Sequence, residues 1–247
     1  MSAATQRRVN VAALMTALLA ACVAFQLNAS MLSPALVRIE EELNTTSAAV
    51  GLTQTAFFTA AALFSLFLPR LGDIIGRKKV LGGMLVVLTI GSVVAALAPS
   101  IEVLFIARLI QGVSGPVVPL TLIMLRVEIR DAKLYGTLMG VITAVNGGIA
   151  GVDAIAGGYL AENHGFASVF WAMAAVGAVA TALLMFLAPE SRAEKKEKMD
   201  WVGVVPLVIS VGTLLTAFNE AGKLAAANWP LVAGLIVIAV IAFVVFW

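Results

Sequence analysis

The chain has 247 residues, of which 61% are hydrophobic and only 12% charged, with a formal net charge of +2. Soluble domains carry roughly twice that share of charge, so a soluble globular domain, a nucleic-acid binder and a disordered chain are all excluded. The mean hydropathy of +1.03 points to an integral membrane protein. One Cys (Cys22) and one His (His164) exclude a disulfide framework and a multi-ligand Cys/His metal centre.

The charges cut the chain into eight apolar blocks, 9–37, 43–69, 80–101, 103–125, 134–161, 163–189, 201–219 and 224–247. A membrane span needs about 20 apolar residues as helix, and hydrocarbon tolerates no unpaired backbone, so each block is expected to be a transmembrane helix. Arg7 and Arg8 precede the first block as in a signal peptide. The block is too long for one and lacks a cleavage site, so it is expected to stay as helix one. Placing the N-terminus inside puts thirteen Lys and Arg in inner segments and only Arg38 and Lys223 in outer ones. That bias predicts a multi-pass protein of the cell (inner) membrane, with both termini cytoplasmic. The expected organisation is a six-helix bundle over 1–189, a charged cytoplasmic linker over 190–200 and two further helices over 201–247. Asn44-Thr45-Thr46-Ser47 offers an N-cap for the second helix.

Helix one carries Gln26, Asn28 and Ser30 in an apolar run. With Gln54 of helix two, Gln26 and Asn28 are candidate linings of a polar substrate cavity, or polar glue between helices. Met31, Phe57 and Phe58 offer apolar lining. After helix two comes Pro69-Arg-Leu-Gly-Asp73-Ile-Ile-Gly76-Arg77-Lys78-Lys79. Gly76 suits a tight turn, and Asp73 at a helix end is placed to pair with Arg77. Helix four contains Arg108-Leu-Ile-Gln111-Gly112-Val-Ser-Gly115. A charge within a span costs roughly 2.5–3.5 kcal/mol on insertion scales, which marks Arg108 as functional unless it snorkels to the interface. Helix five is rich in glycine and carries Asp153 at a depth close to that of Arg108, roughly 8–10 Å from the outer ends at 1.5 Å per residue. A buried charge needs a partner, and Arg108 and Asp153 are expected to pair. The glycines, Gly157 and Gly158 among them, are expected to let helices approach closely.

These segments resemble the major facilitator superfamily. Asp73, Gly76, Arg77 and Lys78 match its loop motif G-x-x-x-D-x-x-G-R-K/R, with Pro69 in place of the leading Gly. Arg108, Gln111, Gly112 and Gly115 match R-x-x-Q-G-x-x-G. Asp153-Ala154-Ile-Ala-Gly157-Gly158 keeps only the second half of the antiporter motif G-P-x-x-G-G, and Gly165-Phe166 onward is a degraded G-W-R-x-x-F. The start of helix seven, Asp200-Trp201-Val-Gly203, resembles the fourteen-helix drug:proton antiporters. In those, an Asp stands where this chain has Asn28, so a proton would be carried elsewhere, on Asp153.

The resemblance implies an all-α bundle and a secondary transporter, not an enzyme, with no cofactor and the proton gradient as energy source. Its implied function is proton-coupled efflux of small amphipathic compounds by alternating access. Asp73, Arg77 and Glu128 would hold one closed state, and Arg108 and Asp153 would couple substrate to protons. The partners expected are a small-molecule substrate and the lipid bilayer, with no nucleic acid. Two alternatives stay open: uptake or metabolite/sugar export, and a half-transporter needing a partner, since a second six-helix half is missing from the 247 residues. Gly112-Val-Ser114-Gly115 also fits the G-x-S-G of an intramembrane serine protease, with His164 as the sole base.

Overall fold

In the computed structural model, which describes residues 10–191 and 198–247, the described chain is helical, with eight helices long and apolar enough to cross a membrane. Every expected block yields one. Arg7, Arg8, Arg192, Lys195 and Lys196 of the expected basic segments lie outside the described residues.

Two of the spans are broken where unbroken helices were expected. The first consists of α1 (Val11–Ser30), a 3-10 turn (Ser33–Ala35) and α2 (Leu36–Glu42). Pro34 sits at the start of that turn, where its missing N–H breaks no helical bond. The fourth consists of α6 (Ile101–Gln111), a 3-10 turn (Gly112–Ser114) and α7 (Val117–Glu128), with Gly115-Pro116 at the joint. Between them run α3 (Ser47–Ser65), α4 (Leu68–Ile75) and α5 (Arg77–Ala96). After them come α8 (Ala132–His164), α9 (Phe166–Leu187), α10 (Trp201–Ala221) and α11 (Trp229–Phe246). Thr46 caps α3 as expected, accepting from Ala49 N at 3.3 Å. Asp200 caps α10 in the same way through Gly203 N at 3.1 Å.

The first six spans interlock. α5 packs on α9 and α6, α1 on α8 and α9, and α3 on α6. The α10–α11 hairpin packs on itself and meets the bundle mainly at α3. Two apolar clusters fill the bundle. One, toward the basic loop, holds Leu14, Leu18, Leu81, Leu85, Leu120 and Leu184. The other, at the opposite end, holds Leu32, Ile39, Leu104, Phe166 and Phe170. α8 is poorly covered: Val152 and Ile155 are 69% and 76% exposed, so this face has little protein cover among the described residues.

The glycine expectation for α8 holds only in part. A Cβ on Gly157 would strike the carbonyl of Met31, and one on Gly158 would rest against Pro34 at 3.5 Å. Gly136, Gly140, Gly147, Gly148 and Gly151 face nothing within 4 Å. They lie on the open side of α8, so packing inside this chain does not explain them.

Candidate functional site

Between the two apolar clusters lies a polar layer. On α1, Asn28 separates Ala24 of one cluster from Met31 of the other; on α5, Ser92 stands between Leu88 and Ala95. Arg108, Gln111 and Ser114 fall in the same gap on the fourth span, and Asp153 falls between Ile142 and Ala161 on α8. Transporters built from helical repeats place their sites at such a midplane.

Arg108 is the hub and is fully buried, which removes the snorkelling alternative. Its Nη1 donates to Asn28 O at 3.1 Å and to Gln111 Oε1 at 2.8 Å, and its Nη2 donates to Gln54 Oε1 at 2.8 Å. The guanidinium also lies 4.2 Å from the ring centroid of Phe57, a cation–π contact. Gln111 Nε2 donates to Ser92 Oγ at 2.9 Å, the Ser92 hydroxyl stands 3.2 Å from Asn28 Oδ1, and Gln54 Nε2 donates to Ala29 O at 2.9 Å. One cation thus joins α1, α3, α5 and α6 through neutral acceptors.

The expected Arg108–Asp153 ion pair does not form: no salt bridge among the described residues joins them. Asp153 instead accepts at Oδ2 from the hydroxyl of Ser30, while its Oδ1 is buried without a partner. Equal depth places two residues in one layer, but their rotation about the helix axes decides whether they meet. The two charges are linked indirectly, because Asn28 and Ser30 share the last turn of α1.

The expected cavity lining is also corrected. Asn28 is wholly buried, its amide donating to Ala24 O at 2.9 Å. Gln26 donates from Nε2 to Ser30 Oγ at 3.0 Å. Phe57 lies beneath Arg108, and Met31 is part of the apolar core. Gln54 and Phe58 do line a cavity of about 650 Å³ between α3 and α10, together with Thr55, Thr59, Phe218 and Asn219. Sequence reasoning missed Ser92 and the partnership of Ser30. For Ser92 the signal was a hydroxyl in the apolar stretch of α5, a weak one because Thr89 stands three residues before it.

The loop motif folds as expected at Asp73 and Arg77. Arg77 Nε and Nη2 reach Asp73 Oδ1 at 2.9 and 2.6 Å. Arg77 N donates to Ser191 O at 2.9 Å, which ties the loop to the end of the sixth span. Lys78 is half-buried beside them. Glu128 feels the charge of Arg77 but forms no salt bridge with it among the described residues, so the expected three-residue network is a pair with a distant third member. Gly76 has φ +120°, a region that L side chains rarely adopt, and a Cβ there would also press on the Glu190 carboxylate. Gly76→Ala is therefore expected to lower stability by about 1–3 kcal/mol, read as a drop in melting temperature of the purified protein. An unchanged melting temperature would show that the turn relaxes without strain.

Ser114 donates to Gln111 O at 2.7 Å, and His164 ends α8 against Tyr159. The nucleophile and base of a serine protease are therefore not brought together.

The sequence profile of the "Major Facilitator Superfamily" matches residues 17–247. The "Uridine/deoxyuridine transporter" of Lactococcus lactis subsp. cremoris is 53% identical over 242 residues, which is 96% of this chain and 50% of that protein. "Multidrug resistance protein 3" of Bacillus subtilis is 26% identical over 178 residues, covering 72% of this chain and 35% of that protein. Among solved structures, the POT family transporter PepTSo superimposes with a TM-score of 0.59 at 13% identity, over 94% of this chain and 51% of that one. The human organic anion transporter MFSD10 gives 0.62 at 14% identity, over 95% and 71%. These likenesses to structures speak to the fold alone. The chain spans half or less of the length of these two relatives. A profile match over nearly all of the chain, on an eight-span bundle, identifies it as a member of the major facilitator superfamily and a transporter chain, not an enzyme.

Proposed function

We propose that this chain is the first half and linking helix pair of a proton-coupled transporter for pyrimidine nucleosides of the uridine type. The observation that carries the reading is the 53% identity to the uridine/deoxyuridine transporter over 96% of this chain. The cavity beside α3 suits such a solute. Thr55, Thr59 and Asn219 offer hydrogen bonds to a neutral, polar molecule, and Phe58 and Phe218 offer ring faces. Transport requires a second six-helix half, in the same natural chain or as a separate subunit, and the open face of α8 gives it a place to dock. The intact mass of the protein expressed from its own gene distinguishes those two arrangements.

In this reading both ends of the chain lie on the cytoplasmic side of the cell (inner) membrane, which the bias of Lys and Arg supports. Arg108 and Asp153 serve proton coupling, and the Asp73–Arg77 pair steadies one closed state. Gln111, Gly112 and Gly115 hold Arg108 in register, and Gly157 seats α8 on α1. A second reading, proton-driven efflux of amphipathic drugs, is favoured by the 26% likeness to the Bacillus multidrug protein.

The deciding experiment uses the protein expressed from its own gene, reconstituted in vesicles with an imposed proton gradient. Labelled uridine is expected to accumulate saturably and to be displaced by deoxyuridine. Gradient-driven dye movement without uridine movement would replace the nucleoside reading with the efflux reading.

A further inference from the structure

We infer that Ser30 is a positioning residue that holds the Asp153 carboxylate and transmits its protonation to the Arg108 cluster through the last turn of α1. The inference rests on the proton-coupled reading of the previous section and deepens it.

Ser30 has one hydroxyl proton and two acceptors. Its Oγ lies 2.9 Å from Gln26 O, its own helix's carbonyl four residues back, and also within hydrogen-bond reach of Asp153 Oδ2. The hydroxyl can satisfy only one of them at a time. When Asp153 is ionised, the proton points to the carboxylate. When Asp153 has taken a proton from the aqueous side, it becomes a donor to Ser30 Oγ, and the Ser30 proton turns back to Gln26 O. A serine bonding to the carbonyl four residues earlier bends a helix, and α1 ends at this place, before the turn at Ser33–Ala35. Asn28, inside that turn of helix, presents its carbonyl to Arg108 at 3.1 Å. The carboxylate's second oxygen, Oδ1, is buried and has no hydrogen-bond partner among the described residues, so Ser30 is the one side chain seen to hold this carboxylate.

The surroundings isolate this contact. α8 packs on α1, the 33–35 turn, α9 and α7. α9 and the turn have no titratable side chain, α1 has only Cys22, and α7 has only Arg126 and Glu128, near its basic end. Within α8 the titratable residues are Lys133, Tyr135, Tyr159, Glu162 and His164, all at least six positions from Asp153. Arg108 is the one charged side chain of the polar layer besides Asp153 among the described residues.

The test uses the protein expressed from its own gene, reconstituted in vesicles, with two readouts. In infrared difference spectra between acid and neutral pH, Asp153→Asn identifies the carboxyl band of Asp153. Ser30→Ala is expected to move that band to higher wavenumber, and Ser30→Thr, which keeps the hydroxyl, to leave it in place. In uridine transport, Ser30→Ala is expected to retain counterflow but lose about tenfold of its stimulation by a proton gradient, the worth of one hydrogen bond to a charged group. Ser30→Thr is expected to keep the stimulation. Either an unmoved band or retained stimulation in Ser30→Ala overturns the inference. If the unaltered protein moves no uridine, the nucleoside reading fails, and the infrared band still judges Ser30 by itself.

Discussion

Arg108→Ala is expected to lower gradient-driven transport by about 100-fold or more while changing the melting temperature by only a few degrees. The two effects separate because opposing terms act on the fold. Removing the side chain strands Gln111 Oε1 and the Asn28 carbonyl, at about 1–3 kcal/mol for each group left buried without a partner, while Gln54 Oε1 is left facing the cavity it lines. The same change removes a fully buried cation that has no carboxylate beside it, whose desolvation costs several kcal/mol. These terms largely offset each other. On the proposed reading, transport has no such offset: the guanidinium ties α6 directly to α1 and α3, and rocking of the bundle requires these helices to move together. Arg108→Lys keeps the charge, but a compact ammonium cannot span the acceptors that a planar fork reaches, so a loss of about tenfold or more is expected. Initial rates of labelled uridine uptake and thermal unfolding of the same preparations measure both effects. Normal rates in Arg108→Ala would show that the cluster is structural glue.

The second large effect is on assembly. A Cβ on Gly115 would lie 2.5 Å from Ala61 Cα and 2.6 Å from its carbonyl carbon. Those atoms are backbone of α3 and cannot swing aside, so the fourth span must move away by about 1 Å to restore an ordinary contact of 3.4 Å or more. Overpacking of this kind destabilises by about 1–3 kcal/mol and occasionally more, and here it also separates Gln54 from Arg108, because the same two spans carry them. Gly115→Ala is expected to lower the melting temperature by roughly 5–10 °C and to impair transport. Gly83→Ala is the matched control: on exposed α5 surface with nothing within 4 Å, it should be neutral or slightly stabilising. Equal behaviour of the two variants would refute the tight crossing.

How much of this was legible beforehand depends on what each feature requires. The eight spans, the Asp73–Arg77 pair, the cap at Thr46 and the family are one-dimensional properties. They depend on the length of an apolar run, a spacing of four along one helix or a residue order, and no neighbour is needed to see them. That Arg108 is a costly charge within a span was legible for the same reason, since such a charge is costly wherever its helix points. Its partners were not. Each step along a helix turns a side chain by about 100°, so depth counted in residues says which layer a group occupies and nothing of the direction it faces. That is why Arg108 and Asp153, placed correctly in one layer, do not meet. Tertiary packing rotates Arg108 toward Gln54, Gln111 and Asn28, and Asp153 toward Ser30. It likewise selects Gly112, Gly115 and Gly157 as contact points and leaves five glycines of α8 bare. The composition of this chain determined a membrane bundle with one costly cation in its middle. Only the packing of the helices decided which atoms surround that cation, because a hydrogen bond is set by the positions of two helices and a sequence describes them one at a time.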